Sequence, residues 1–112
     1  MDTNTNANAK RLNVLVTGST SGFGRSIVET LARSGHRVFA TMRNVGGKNS
    51  GVARELDEWS ESEGVALEVV ELDVLDDSSV NAAVESILGS AGHIDVVVNN
   101  AGIGSSGYLE AI

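Results

Sequence analysis

Hydrophobic positions in this chain form short, nearly continuous runs, separated by stretches in which they recur every three or four residues. Nearly continuous apolar runs are typical of parallel strands that are buried on both faces. They predict four strands, at residues 12–17, 37–42, 67–73 and 94–99. The wider spacing is that of one helix face. It predicts helices at residues 22–34, at 52–63, from 76–79 onward, and a first helical turn at 108–112.

Residues with strong terminal preferences stand where these helices should begin and end. Gly35 and Gly64 directly follow two of the helices, and glycine is the usual residue at a left-handed helix stop. Residues 76–79 (Asp-Asp-Ser-Ser) offer several side chains that can cap the third helix. Trp59 shares a helix face with Val52 and Leu56, which favours packing over a ligand-binding role.

Strand and helix alternate along the whole chain, which favours a doubly wound α/β fold. Strands joined through helices lie parallel, and such crossovers are right-handed. We predict a partial sheet of about four strands in the order 3-2-1-4, with helices on both faces. The order reverses between strands 1 and 4, so their carboxyl ends should open a crevice for a ligand.

The first strand runs directly into a glycine-rich turn and then a helix, which predicts a phosphate-binding site. Gly18, Gly22 and Gly24 lie in this turn. Unpaired N–H groups and the helix dipole favour an anion at a helix N-terminus, and glycines allow its close approach. The glycine order is the reverse of G-x-G-x-x-G, and Arg25 replaces the lysine of a P-loop whose spacing also fails. A glycine-rich turn without a ligand is the alternative.

Composition narrows the choice of partners. The 112 residues suffice for one small domain, which we place at residues 11–112 behind a flexible polar leader at 1–10. A net charge of −7 argues against nucleic acid and anionic membranes. The chain has no cysteine, and its two histidines lack neighbouring ligands, so we expect no metal site. The N-terminus lacks the features of a signal peptide, and we therefore expect a cytoplasmic protein.

Three motifs together resemble the short-chain dehydrogenase/reductase family. They are Thr-Gly-Ser-Thr-Ser-Gly-Phe-Gly at 17–24, Leu-Asp-Val at 72–74 and Asn-Asn-Ala-Gly at 99–102. The resemblance covers residues 11–112 and implies a Rossmann-type domain that binds NAD(H) or NADP(H). It also implies a carbonyl–alcohol redox reaction on a small-molecule substrate, with an intact form that is a homo-oligomer.

The same resemblance assigns cofactor contacts residue by residue. The cofactor phosphates and adenosine ribose would be lined by Gly18, Ser19, Ser21, Gly22, Phe23 and Gly24. Phe23 stands where the family usually has isoleucine, but its contact would come through the backbone N–H. The adenine amino group would be bound by Asp73, with Val74 beside it. The ribose would pack against Asn100, Ala101 and Gly102.

The end of the second strand indicates which cofactor is preferred. An acidic residue there would bind the ribose 2′-hydroxyl and repel a 2′-phosphate. Residues 41–44 are Thr-Met-Arg-Asn, with no acid, and Arg43 can pair with a phosphate. A solvated surface arginine is the alternative. Ser21 occupies the position of a second basic residue in the family, so we predict a modest preference for NADP(H) over NAD(H).

The family's catalytic residues are absent from these 112 residues. The family uses a serine, a tyrosine and a lysine, with the last two spaced Tyr-x-x-x-Lys. Tyr108 is the only tyrosine, and Ile112 stands four positions later. We therefore expect the cofactor-binding half of an oxidoreductase, truncated before its catalytic half. The alternative is a non-catalytic nucleotide-binding module, or a truncated isoform that pairs with an intact protomer.

Overall fold

The chain forms one five-stranded sheet with helices on both faces. The computed structural model describes residues 11–20, 22–100 and 108–111, the last of these by their backbone alone. The strands are β1 (Asn13–Val16), β2 (Arg37–Met42), β3 (Leu67–Glu71), β4 (Val96–Asn99) and β5 (Tyr108–Ala111). The helices are α1 (Gly22–Arg33), α2 (Ser50–Glu63) and α3 (Asp77–Ala91).

Strand β1 lies at the centre of the sheet. The order is β3-β2-β1-β4-β5, and the first four strands are parallel. Leu15 is in register with Phe39 on one side and with Val97 on the other. The predicted order 3-2-1-4 and the doubly wound α/β class are confirmed. The carboxyl ends of β1 and β4 therefore lie at the same edge of the sheet, where the strand order reverses.

Alternate residues of each central strand supply two separate cores. Val14 and Val16 pack with Val28 of α1 and Leu56 of α2 on one face of the sheet. On the other face, a second cluster contains Leu15, Phe39, Ile87 and Ile94. Successive strand side chains point to opposite faces, so a run without polar residues is what a sheet covered on both sides needs.

Helix ends follow the predicted signals. Gly64 adopts φ +67° after α2, and Val65 N donates to Ser60 O at 3.1 Å, which pairs a terminal carbonyl. Asp76 precedes α3, and its Oδ1 accepts from the N–H groups of Ser78 at 3.0 Å and Ser79 at 3.4 Å. These contacts fix where α2 and α3 stop and start.

The predicted helical turn at 108–112 is wrong. Residues 108–111 form β5, antiparallel to β4, with Tyr108 in register with Asn99 and Ala111 with Val96. Strand β4 is apolar, and its outer N–H and C=O groups would otherwise be unpaired. A short strand satisfies them, whereas one isolated helical turn would leave them exposed to solvent.

Within the described residues, none of the helices is both long enough and apolar enough to cross a membrane.

Candidate functional site

The turn after β1 is tied to the end of β4 through Thr17. The Thr17 hydroxyl accepts from Asn100 N at 2.9 Å and lies 3.3 Å from Asn99 Oδ1. Thr17 N donates to Val98 O at 3.0 Å. These bonds hold the first and third sequence motifs side by side at the carboxyl edge of the sheet, where the strand order reverses.

Residues 17–21, which we call the glycine loop, and the first turn of α1 need glycine for two different reasons. Gly18 and Gly22 have φ values of +66° and +61°, which side chains rarely allow. At Gly24 the reason is lack of space. A Cβ there would overlap the carbonyl oxygen of Gly18 and stand 3.0 Å from Asn100 Nδ2. The first turn of α1 therefore packs directly against the loop backbone. Asn100 Nδ2 donates to Gly18 O at 3.3 Å and closes this arrangement.

Ser19 supports the loop from inside. The residue is 0% exposed, its Oγ donates to Val16 O at 3.1 Å, and its N–H donates to Thr41 O at 3.3 Å. Thr41 Oγ1 donates to the same Val16 carbonyl at 2.8 Å. Ser19 thus shapes the loop through β1 and β2, and it presents no surface to a ligand in this structure.

A cleft of about 280 Å³ opens at the carboxyl ends of β1, β2 and β3. It brings together residues of the first and second sequence motifs and of the loop after β2. Its lining consists of Thr17, Gly18, Thr20, Arg43, Asn49, Leu72, Asp73, Val74 and Leu75. The polar members stand beside an apolar wall, which suits a ligand with both charged and aromatic parts.

Asp73 is positioned at the base of this apolar wall. Its N–H donates to Ser79 Oγ at 2.9 Å, and its Oδ1 accepts from Leu75 N at 3.0 Å. Leu75 is 85% exposed and Val74 is 37% exposed, although both are apolar. Exposed large apolar side chains beside a cleft indicate a surface that a ligand can cover.

The Arg25 side chain pairs with two glutamates and is not among the residues that line the cleft. It donates to Glu55 at 3.0 Å and to Glu29 at 3.2 Å. Its hydrogen bond to Glu55 raises the arginine pKa, partial burial lowers it, and the bond to Glu29 raises it again, with a net rise. Arg25 stands where a P-loop would carry lysine, and its ion pair with Glu55 joins α1 to α2 instead.

The predicted cofactor contacts fall into five groups by position, one of which is the fully buried Ser19 alone. Gly18, Arg43, Asp73 and Val74 line the cleft. Asn100 reaches the glycine loop from β4. The first residues of α1 stand next to the loop but outside the cleft lining: these are Gly22, Phe23 and Gly24. Ser21, Ala101 and Gly102 lie outside the described residues, and contact with a cofactor stays a prediction for every residue of the set.

Several residues of the cleft were not predicted from the sequence. Thr20 and Thr17 lie within the recognised glycine motif, so their places in it were available as a signal. Leu75 follows the Leu-Asp-Val motif, and its exposure is visible only in the structure. Asn49 carried no signal, because its role depends on the folding back of the loop after β2.

Residues 12–112 match a family model described as short chain dehydrogenase. The chain is 43% identical over 89 residues to the 3-oxoacyl-acyl-carrier-protein reductase of Aquifex aeolicus, which covers 80% of this chain and 34% of that protein. The chain spans about a third of the length of the curated relatives that it matches.

Two solved structures superpose on the fold. A gluconate 5-dehydrogenase from Burkholderia cenocepacia, in complex with NADP and tartrate, gives a TM-score of 0.67 at 33% identity, covering 85% of this chain and 35% of that one. An actinorhodin polyketide ketoreductase with NADPH gives a TM-score of 0.71 at 34% identity, covering 82% of this chain and 33% of that one.

Proposed function

The chain belongs to the short-chain dehydrogenase family, and we propose that it is the cofactor-binding portion of an NADP(H)-dependent oxidoreductase acting on a small carbonyl or alcohol. One observation carries the proposal: Gly18 and Thr20 of the turn after β1, Arg43 and Asp73 line a single cleft at the carboxyl edge of the sheet. This is the place where doubly wound α/β proteins bind nucleotides.

The residues present fit a dinucleotide. Gly18 and Gly22 leave the backbone free of side chains at the N-terminus of α1. A Cβ at Gly22 would meet no atom within 4 Å, so the space there is open to a ligand. Unpaired N–H groups and the helix dipole stabilise pyrophosphate at such a position. Asp73, with the apolar wall of Leu72, Val74 and Leu75, would hold the adenine.

The loop after β2 would select the 2′-phosphate. Arg43 is exposed at the cleft, and its guanidinium has no ion pair with any other residue that the structure describes. Neither Thr41 nor Met42, which precede it, is acidic. The two superposed proteins were solved with NADP and with NADPH, which supports this choice for the present chain.

When bound, a nicotinamide cofactor supplies a hydride to a carbonyl carbon or accepts one from an alcohol carbon. The residues of this chain would bind and orient the adenosine and pyrophosphate parts. A Tyr-x-x-x-Lys pair does not occur in the 112 residues. We therefore assign none of the present side chains to proton transfer.

Arg43→Ala tests the cofactor choice. Loss of a charge-assisted pair with the 2′-phosphate should weaken NADPH binding by roughly tenfold to a hundredfold. NADH lacks this phosphate, so its dissociation constant should stay unchanged. Isothermal titration calorimetry with both cofactors measures the two values on the purified protein.

Arg54→Ala is the matched control. Arg54 is an exposed arginine on α2 that does not line the cleft. It carries the same charge and should leave both affinities as they are. An equal loss of NADPH affinity in the two variants, or no loss in Arg43→Ala, would contradict the proposed role.

A further inference from the structure

The loop that carries Arg43 keeps its shape through specific contacts, without regular secondary structure. It comprises residues 43–49, and we refer to it as the arginine loop. The N–H groups of Gly47 and Asn49 both donate to Asn44 O, at 3.1 and 2.9 Å. Asn44 itself adopts φ +54°, an uncommon conformation for a residue other than glycine. Such a backbone persists when its surroundings hold it.

The Glu71 carboxylate fixes this loop through two hydrogen bonds from its backbone amides. Glu71 is the last residue of β3, and the parallel register sets it beside Met42, the last residue of β2. Its Oε2 accepts from Asn44 N at 3.0 Å, and its Oε1 accepts from Val45 N at 2.9 Å. Both carboxylate oxygens are thus bound to consecutive amides, directly after Arg43. Hydrogen bonds to a charged acceptor are stronger than those between neutral groups.

Two further contacts hold the arginine loop from its other sides. Asn49 Nδ2 donates to the carbonyl oxygen of Arg43 at 2.6 Å, and the Val45 side chain packs against the core under α1 and α2. The Arg43–Asn44 peptide group is therefore held at both its carbonyl oxygen and its N–H, while the Arg43 side chain stays exposed at the cleft. A cation presented from a rigid backbone loses less entropy on binding an anion.

We propose that Glu71 is a positioning residue for cofactor selection, which fixes the arginine loop so that Arg43 faces the 2′-phosphate. The inference rests on the proposed function and adds to it the residue that orders the selecting cation. A positioning role predicts weaker NADPH binding when the Glu71 charge is removed, whereas electrostatics alone predicts stronger binding. A carboxylate near a phosphate repels it, so removal of the charge alone would strengthen NADPH binding.

Glu71→Gln separates the two effects, since it removes the charge at nearly constant size. The glutamine has one acceptor oxygen and cannot accept from both amides as the carboxylate does. We expect NADPH binding to weaken roughly fivefold, with NADH binding unchanged. Hydrogen exchange of the Asn44 and Val45 amides should become faster. Calorimetry and exchange measured by mass spectrometry or NMR give these results on the purified protein.

Glu68→Gln is the control for charge. Glu68 is an exposed residue of the same strand, away from the cleft and the arginine loop. Its variant should change neither the NADPH to NADH affinity ratio nor the hydrogen exchange of the Asn44 and Val45 amides. Unchanged or tighter NADPH binding in Glu71→Gln would overturn the proposal. An equal loss for NADPH and NADH would also overturn it, because that result describes general destabilisation.

A double-variant cycle keeps this proposal separate from the proposed function. In an Arg43→Ala background, Glu71→Gln should not lower the NADPH to NADH affinity ratio, because the cation that it orders is gone and only the loss of repulsion remains. A further fall of the ratio in that background would overturn the positioning role. If Arg43→Ala alone leaves the ratio unchanged, the proposed cofactor choice fails, and the Glu71 inference fails with it.

Discussion

Gly24 is the residue whose missing side chain most constrains the site. It lies within the first turn of α1, where alanine would normally be preferred over glycine by about 1 kcal/mol. Its Cα instead faces the Gly18 carbonyl, and Asn100 closes the same contact. The glycine requirement at this position thus comes from close packing between helix and loop, whereas at Gly18 and Gly22 it comes from the backbone angle.

Gly24→Ala should destabilise the protein and disturb the glycine loop together. The added methyl group would push the loop outward and lengthen the Asn100–Gly18 hydrogen bond, at a cost of about 1–3 kcal/mol. Urea unfolding measures that cost, and NADPH affinity should fall as well. Gly89→Ala is the matched control: this glycine lies in α3, and its Cβ would meet no atom within 4 Å.

The control should be stabilising by about 0.5–1 kcal/mol, because alanine is the better helix former. Two glycine-to-alanine changes in helices would then change the free energy of unfolding in opposite directions. If both variants stabilise the protein, α1 does not pack against the loop as described.

The places of the candidate site residues were predictable where a local motif carries them, and not where a distant partner does. Gly18 was identified from the glycine spacing, Arg43 from the end of the second strand and Asp73 from the family resemblance, and the structure sets them around one cleft. The buried position of Ser19 and the hold of Glu71 on the arginine loop depend on neighbours more than twenty positions away. Neither follows from periodicity or local spacing.

Among the elements, α3 depends on its cap and also orders the site. Asp76 accepts from the first N–H groups of α3, and Ser79 in that same turn accepts from Asp73 N. Asp76→Ala should therefore lower the free energy of unfolding by about 1 kcal/mol. It should also weaken NADPH binding, since Asp73 is held by that turn.

Asp76→Asn is the control for this prediction. Asparagine retains the acceptor oxygen and caps helices as well as aspartate does, so stability should stay within about 0.5 kcal/mol of the original. Urea unfolding and calorimetry on the two variants provide the comparison. Equal losses in the two variants would show that the capping bond contributes little.

Element types were predicted well wherever the burial pattern was continuous, and β5 shows why one was not. Strand β2 has the predicted bounds, and β1 and β4 are shorter than predicted by one or two residues at their ends. Residues 108–111 are too few to express either a helical or a strand period. Their conformation is decided by the open edge of β4, which is a property of the sheet and not of those residues.

The whole molecule is acidic, yet its proposed ligand carries several negative charges. The net charge of −7 comes largely from exposed carboxylates, five of which lie on α2: Glu55, Asp57, Glu58, Glu61 and Glu63. Water and salt screen such charges within about 8–10 Å. Arg43 and the N-terminus of α1 would act on a bound phosphate at contact distance, where this screening is weak.

The central position of β1 has a consequence for how the chain folds. Its neighbour β2 follows after one helix, whereas Asn13 and Asp95, at the junction of β1 with the β4 segment, are 82 positions apart. Closing a long loop costs more entropy and delays the pairing. In pulse-labelled refolding, the Arg37 amide, bonded to Leu12 O, should be protected before the Thr17 amide, bonded to Val98 O. Simultaneous protection would instead indicate a single concerted step, and the crevice between β1 and β4 would then form together with the rest of the sheet.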